Sequence, residues 1–489
     1  MQYTSTRNNM VKITAAQAIL RGLAPDGGLY VPEKIKSPDI SERQLLQLNQ
    51  IELTARVLHA LIDDLDLETL KRAVKDGYRG KFENDDNLTP LVKCGKDYVL
   101  ELYRGPTSAF KDMALCLLPR LIAASAENCG ADRDTMILTA TSGDTGKAAL
   151  AGFAGAPKTK VIVFYPDGGV SDIQRLQMVT QQGDNVCVCA VRGNFDDAQT
   201  GVKRAFGELK CDNYSLSSAN SINIGRLAPQ VAYYFKAYAD LVKTGEIEYG
   251  DLVNFVVPTG NFGNILAGYI AKKMGLPIGK FVCASNRNDV LTQFLSTGVY
   301  DKRRPFYLTS SPSMDILVSS NLERLIYFAS GGDAELVASL MSDLNEKGFY
   351  KVPGTVLSEI KNDFLCGSAD DEECFKTIKK TFDENHYLID PHTSVAFAVL
   401  AKVRGNLTGK TVILSTASAY KFAPAMLKAF GIDSVSDGFA AMEKLNELTG
   451  VPIPKNLALL REMEILHKDI INPDEITEYV ERKAKSWEK

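Results

Sequence analysis

Six short apolar runs, over 136–140, 161–165, 185–191, 252–257, 281–284 and 411–415, constrain this chain more than any other feature. A strand wetted on one face alternates between apolar and polar residues. A run that does not alternate needs cover on both faces, as strands of a parallel sheet have between layers of helices. Helical apolar spacing follows several of the runs, over 147–153, 265–274 and 423–430. The pattern predicts an α/β protein with two lobes of mostly parallel strands. Ahead of them, residues 1–90 are expected to be a mostly helical addition, with helical spacing over 42–61 and 67–75 and a polar linker over 77–87. The expected domains are therefore 1–90, 91–235 and 236–489. An acidic, solvated helix over 370–385 and a charged final helix after Asn472 complete the pattern.

With 489 residues there is chain enough for two or three domains. A net charge of -4 argues against a nucleic-acid surface. No apolar run reaches the length of a membrane span, and the first residues lack the apolar core of a secretory signal. Nine cysteines without framework spacing fit a reducing cytoplasm, and Cys187 and Cys189 read as small strand hydrophobes. The histidines (His59, His386, His392, His467) are too widely spaced for structural zinc, so no metal is expected.

Chemistry gathers where strands end. Two runs feed Gly-rich turns that open helices: Thr139-Ala140-Thr141-Ser142-Gly143-Asp144-Thr145-Gly146 and Pro258-Thr259-Gly260-Asn261-Phe262-Gly263-Asn264. Helix starts at the carboxyl edge of a parallel sheet offer N–H groups to anions, and glycine lets the backbone approach them. Neither turn carries G-x-G-x-x-G, and residues 143–148 lack the spacing of a Walker loop. Asp144 repels a bare phosphate, so the uncharged second turn is the better phosphate cradle. A third strand, over 98–103, ends at Gly105-Pro106-Thr107, and Lys111 opens helical spacing that runs to Leu118. The positive end of a helix dipole is a poor place for a cation kept for solubility. That field, with burial, lowers an amine's pKa, as a nucleophilic lysine requires.

In order along the chain stand residues 22–32, Leu88-Thr89-Pro90-Leu91, residues 105–112, residues 140–146, Asn220-Ser221-Ile222-Asn223, residues 259–264 and Asp390-Pro391-His392-Thr393. This ordered set closely resembles the threonine synthase family, pyridoxal-phosphate enzymes of the tryptophan-synthase-β group (fold type II). The likeness is to the longer form of fungi and many bacteria. The resemblance implies that Lys111 holds pyridoxal 5'-phosphate covalently and that Gly260, Asn261, Phe262, Gly263 and Asn264 wrap its phosphate. It implies further that Thr416 faces the pyridine nitrogen, and that Ser142, Asp144 and Thr145 receive the substrate carboxylate. Asp112 would orient the local network. Arg104, Lys147, Asn220, Asn223, Arg226 and His392 are candidates for contact with the substrate and its phosphate. Arg104 departs from the histidine that many relatives carry before Gly-Pro-Thr. Residues 415–419 read Ser-Thr-Ala-Ser-Ala where bacterial relatives often read Ala-Thr-Ala-His-Pro, but the threonine is kept. The implied reaction turns O-phosphohomoserine and water into L-threonine and phosphate. A phospholyase that stops after elimination would use the same lysine and loop. The family expectation is a cytoplasmic enzyme, often monomeric.

Overall fold

A computed structural model describes residues 1–141, 143–209, 213–433, 435 and 437–488. Every one of the six apolar runs is a strand. Five parallel strands form one sheet in the order Asp469–Ile471, Val186–Val191, Thr159–Pro166, Asp134–Ala140, Tyr214–Ser217. Six form the other, in the order Phe364–Ser368, Ile278–Ser285, Val253–Pro258, Lys410–Ser415, Asp97–Glu101, Leu91–Cys94, and only the last is antiparallel.

Successive residues of one strand enter different cores, which is why the runs do not alternate. In the larger sheet Val256, Val282 and Ile413 pack with Val395 and Val399 of the helix Pro391–Val403. Their neighbours Phe255, Val257, Phe281, Val412 and Leu414 join the core of Tyr234 and Tyr238, from the helix Ile224–Lys243. In the smaller sheet Leu138, Phe164, Cys187 and Cys189 face Tyr479 and Val480 of the helix Ile476–Trp487. Both cysteines are buried hydrophobes, and every described cysteine is a free thiol.

The first ninety residues carry four helices, Ala15–Arg21, Glu42–Gln47, Gln50–Leu61 and Leu67–Tyr78, but not helices alone. They begin with a three-stranded antiparallel sheet, in which Gln2–Ser5 lies between Asn8–Thr14 and Tyr30–Pro32. The turn at Thr6 and Arg7 makes a hairpin of a segment rich in Thr, Tyr, Val and Ile, which suit a pleated surface. Residues 42–61 form two helices, Glu42–Gln47 and Gln50–Leu61. Leu48 is extended between them, and the Asn49 side chain caps the second. The sheets also draw strands from across the expected divisions. Lys410–Ser415 pairs with Asp97–Glu101, and Asp469–Ile471 with Val186–Val191. Among the described residues, no helix is long and apolar enough to cross a membrane.

Candidate active site

Asp112 closes the Gly-Pro-Thr turn. Its buried carboxylate accepts from Thr107 N at 2.8 Å and Thr107 Oγ1 at 2.6 Å. Gly105 is required there, since a Cβ would meet Asp112 Oδ2 at 2.6 Å. Burial pushes the Asp112 carboxyl up to about 6, against the Thr107 hydrogen bonds. The turn is then sewn to the end of Lys410–Ser415. Phe110 N donates to Thr416 O at 2.8 Å, Ala109 bridges Ala417, and Ser418 N donates to Ser108 O at 3.1 Å. Lys111 thus lies beside Thr416, at the N-cap of the single-turn helix Asp112–Leu115. That helix is shorter than expected, and a second one, Leu118–Asn128, starts after a break.

Lys111 Nζ lies 3.5 Å from Asp144 Oδ2 and 3.4 Å from Ser313 Oγ. Burial lowers its pKa, the Lys421 and Arg226 charges add to this, and Asp144 opposes it. Asp144 opens the helix Asp144–Phe153 after Gly143, whose φ of 130° favours glycine. Thr141 Oγ1 shapes the turn by accepting from Gly143 N at 3.0 Å and Gly146 N at 2.9 Å. The Asp144 carboxylate accepts from Lys421 Nζ at 2.6 Å, Gln174 Nε2 at 3.0 Å and Ser313 Oγ at 3.3 Å. Burial alone would raise its pKa, but Lys421 and Lys111 hold it below the usual carboxylate range. Thr145 follows in the first helical turn; Ser142 lies outside the described residues.

The second turn joins Val253–Pro258 to the helix Gly263–Lys273. Phe262 is left-handed at φ 61°, and the helix start has no side-chain cap. The turn is held from outside. Ser319 Oγ donates to Gly260 O at 2.8 Å, while Asn321 N and Nδ2 donate to Asn261 O at 3.1 and 3.0 Å. Arg324, fully buried, donates to Asn321 Oδ1 at 2.5 Å, to Ile222 O at 2.6 Å and to Tyr30 O at 3.0 Å. The N-terminal sheet is thereby tied to the turn. Asn264 Oδ1 accepts from Tyr233 OH at 2.6 Å and Tyr234 OH at 3.0 Å, while its buried Nδ2 has no partner.

Arg226 is buried at 3% exposure, and Nη1 donates to Ala219 O at 2.7 Å. Its Nε has no partner, and it joins no ion pair among the described residues. Burial pushes its pKa down to about 10. Asn223 caps Ile224–Lys243 by accepting from Gly225 N at 2.8 Å, and its Nδ2 donates to Ile19 O at 3.0 Å. Its amide is committed to the fold. Asn220 O accepts from Asn223 N at 3.2 Å.

Three candidates are engaged elsewhere. Arg104 Nε and Nη2 donate to Glu101 Oε2 at 2.8 and 2.6 Å, and Nη1 to Glu83 Oε2 at 2.8 Å. Both nitrogens of His392 are used: Nδ1 lies 2.7 Å from Asp390 Oδ2, and Nε2 accepts from Ser313 N at 3.2 Å. Lys147 Nζ donates to Gln181 Oε1 at 2.7 Å, and burial pushes its pKa down to about 8. Lys421, Ser313 and Gln174, by contrast, belong to the cluster and were not among the candidates. The one signal for Lys421 was a lysine amid apolar residues, five positions after Thr416.

A largely enclosed lysine at a strand-end turn, with two Gly-rich helix starts at the edges of two parallel-sheet lobes, defines a pyridoxal-phosphate enzyme of fold type II. The family model described as "Pyridoxal-phosphate dependent enzyme" matches residues 86–418, and "Threonine synthase N terminus" matches residues 2–78. The chain belongs to the threonine synthase family. It is 36% identical to threonine synthase of Saccharomyces cerevisiae, covering 87% of this chain and 88% of that one. With that of Pseudomonas aeruginosa it shares 39%, covering 88% and 90%. Identity to "Threonine synthase-like 1" of Homo sapiens is also 39%, over 86% of this chain but only 58% of that protein, so the chain spans little more than half of such relatives. The crystal structure of threonine synthase from Brucella melitensis with bound PLP superposes with a TM-score of 0.87, at 36% identity and 99% coverage of both chains. The yeast enzyme's structure gives 0.88 at 33%, again covering 99% of both.

The residues present fit that cofactor. An uncapped helix start, the unpaired Asn264 Nδ2 and a Gly260 backbone with no room for a Cβ suit a phosphate ester. A buried amine of lowered pKa suits an aldehyde.

Proposed function

We propose that the protein converts O-phospho-L-homoserine and water into L-threonine and inorganic phosphate, as a cytoplasmic lyase. The observation that carries this substrate is Arg226, a buried guanidinium with no carboxylate partner among the described residues, close enough to Lys111 to depress its pKa. A cation kept out of water in that way calls for an anionic ligand, and a planar fork suits phosphate oxygens. The free thiols are consistent with a reducing compartment.

Lys111, the Gly260-to-Asn264 loop and Thr416 are the residues that would hold pyridoxal phosphate. When bound, that group supplies an electron sink for the carbons next to the substrate amine. The chain's own residues do the rest. Lys111 Nζ removes the proton at Cα and then one at Cβ. As phosphate leaves, a proton is delivered to Cγ, which becomes the methyl carbon. Water adds its hydroxyl at Cβ with its own proton passing to the phosphate, and Lys111 returns a proton at Cα. Its lowered pKa eases the passage of one amine between base and acid. The amides of Asp144 and Thr145, at a helix start, would take the substrate carboxylate. The γ-phosphate leaves toward Arg226, whose charge offsets that of the leaving group.

Incubating the holoenzyme with O-phosphohomoserine should release phosphate and L-threonine in equal amounts. Phosphate accompanied by 2-oxobutanoate in place of threonine would overturn the proposal and make the protein a phospholyase.

A further inference from the structure

Asp144 carries two lysines on one carboxylate, and they are held unequally. Lys421 Nζ donates to Oδ1 at 2.6 Å and to Thr107 O at 3.1 Å. Lys111 Nζ stands 3.5 Å from Oδ2. The Lys421 side chain is fully shielded from solvent. It rises from the short turn Ala419–Phe422, which follows the segment sewn to Ser108 and Phe110. Its own N–H donates to Ser418 O at 3.2 Å, and the Thr107 carbonyl it reaches also accepts from Gln177 Nε2 at 3.3 Å. Gln174 Nε2 and Ser313 Oγ occupy further positions on the carboxylate.

We infer that Lys421 is a positioning residue that satisfies Asp144 as a fixed carboxylate and leaves Lys111 its weaker partner, free to give up its proton. The inference rests on Lys111 being the cofactor lysine. Its physics is that of charges in low dielectric. A buried carboxylate needs a cation, and a lone lysine beside it is held protonated. Without Lys421, Asp144 would close on Lys111, and an ammonium cannot attack a carbonyl. The other groups facing Lys111 do not substitute for Lys421. Arg226 is a cation acting in the same direction but not bonded to Asp144, while Ser313 and the Phe110 ring are neutral. Asp112 is engaged by Thr107, and Lys147 by Gln181.

The test reads Lys111 directly. In the full chain freed of cofactor, acetylation of Lys111 by acetic anhydride is followed against pH by peptide mass spectrometry, and capture of pyridoxal phosphate is followed by absorbance. Lys421→Met should raise the Lys111 midpoint by about one pH unit or more, slowing capture near neutrality about tenfold. Lys421→Arg should restore the midpoint, and Asp144→Asn should lower it. In the double variant Lys421→Met/Asp144→Asn the rise should vanish. An unmoved midpoint in Lys421→Met, or in Asp144→Asn should the first variant not fold, overturns the inference. Wild-type protein that never captures the cofactor at Lys111 would refute the lysine assignment instead.

Discussion

A guanidinium held out of water without a carboxylate costs stability, and Arg226 has none among the described residues. If a substrate phosphate is its partner, Arg226→Ala should lower kcat/KM for O-phosphohomoserine by about 10- to 100-fold, the range of a charge-assisted hydrogen bond worth ~1.5–3 kcal/mol. The melting temperature should hold or rise, because an unpaired buried charge is removed. Steady-state kinetics with a thermal melt separates the two effects, and an unaltered kcat/KM would remove Arg226 from the site. Arg104 is expected to behave oppositely. It lies seven residues before Lys111, which in the sequence made it a candidate for substrate phosphate. Its three donor nitrogens are spent on Glu101 and Glu83, and Glu101 is itself buried. Arg104→Ala should leave kcat/KM within a few-fold of wild type and lower the melting temperature, since Glu101 loses its cation. A large loss of kcat/KM with unchanged stability would return Arg104 to the substrate.

Two glycines of one turn make unequal demands on the elements around them. A Cβ on Gly260 would lie 2.8 Å from the main-chain oxygen of Ser313, so Gly260→Ala must displace the turn Pro312–Met314. That turn also sets Ser313 Oγ against Lys111 and Asp144. A displacement costing ~2 kcal/mol would weaken pyridoxal-phosphate binding about thirtyfold. On Gly263 the nearest atom is Asn321 Nδ2 at 3.5 Å, an ordinary contact, so any loss of affinity in Gly263→Ala reports a clash with the ligand alone. Equilibrium titration of both variants checks the cradle; undiminished affinity in both would place it elsewhere. Asn223 is an element-scale residue too. Asn223→Ala removes the cap of Ile224–Lys243 and the bond to Ile19 O, and should cost about 1–2 kcal/mol in a denaturant titration.

Across the whole molecule, what the sequence made legible is what burial on both faces writes into local composition. The six runs became strands, and the turns after 140 and 258 became helix starts, because each depends on neighbours within a few residues. The order of strands was not legible, since pairing Lys410–Ser415 with Asp97–Glu101 joins segments about three hundred residues apart. The N-terminal sheet escaped because Asn8–Thr14 is mostly exposed and lacks a repeating apolar signal. The site shows the same divide. Lys111 and the Gly-rich turn over 259–264 stand out locally. Lys421 reaches Asp144 across 277 residues and Ser313 reaches it across 169, so their roles exist only in the folded chain. Three lysines, the largely enclosed Lys111 and the buried Lys147 and Lys421, consequently share the neighbourhood, and the cofactor assignment rests on the first. Borohydride reduction of the holoenzyme followed by peptide mapping decides the matter. A pyridoxyl adduct is expected on Lys111 and on no lysine of Lys111→Ala; an adduct on Lys147 or Lys421 in the wild-type protein would contradict the assignment of Lys111.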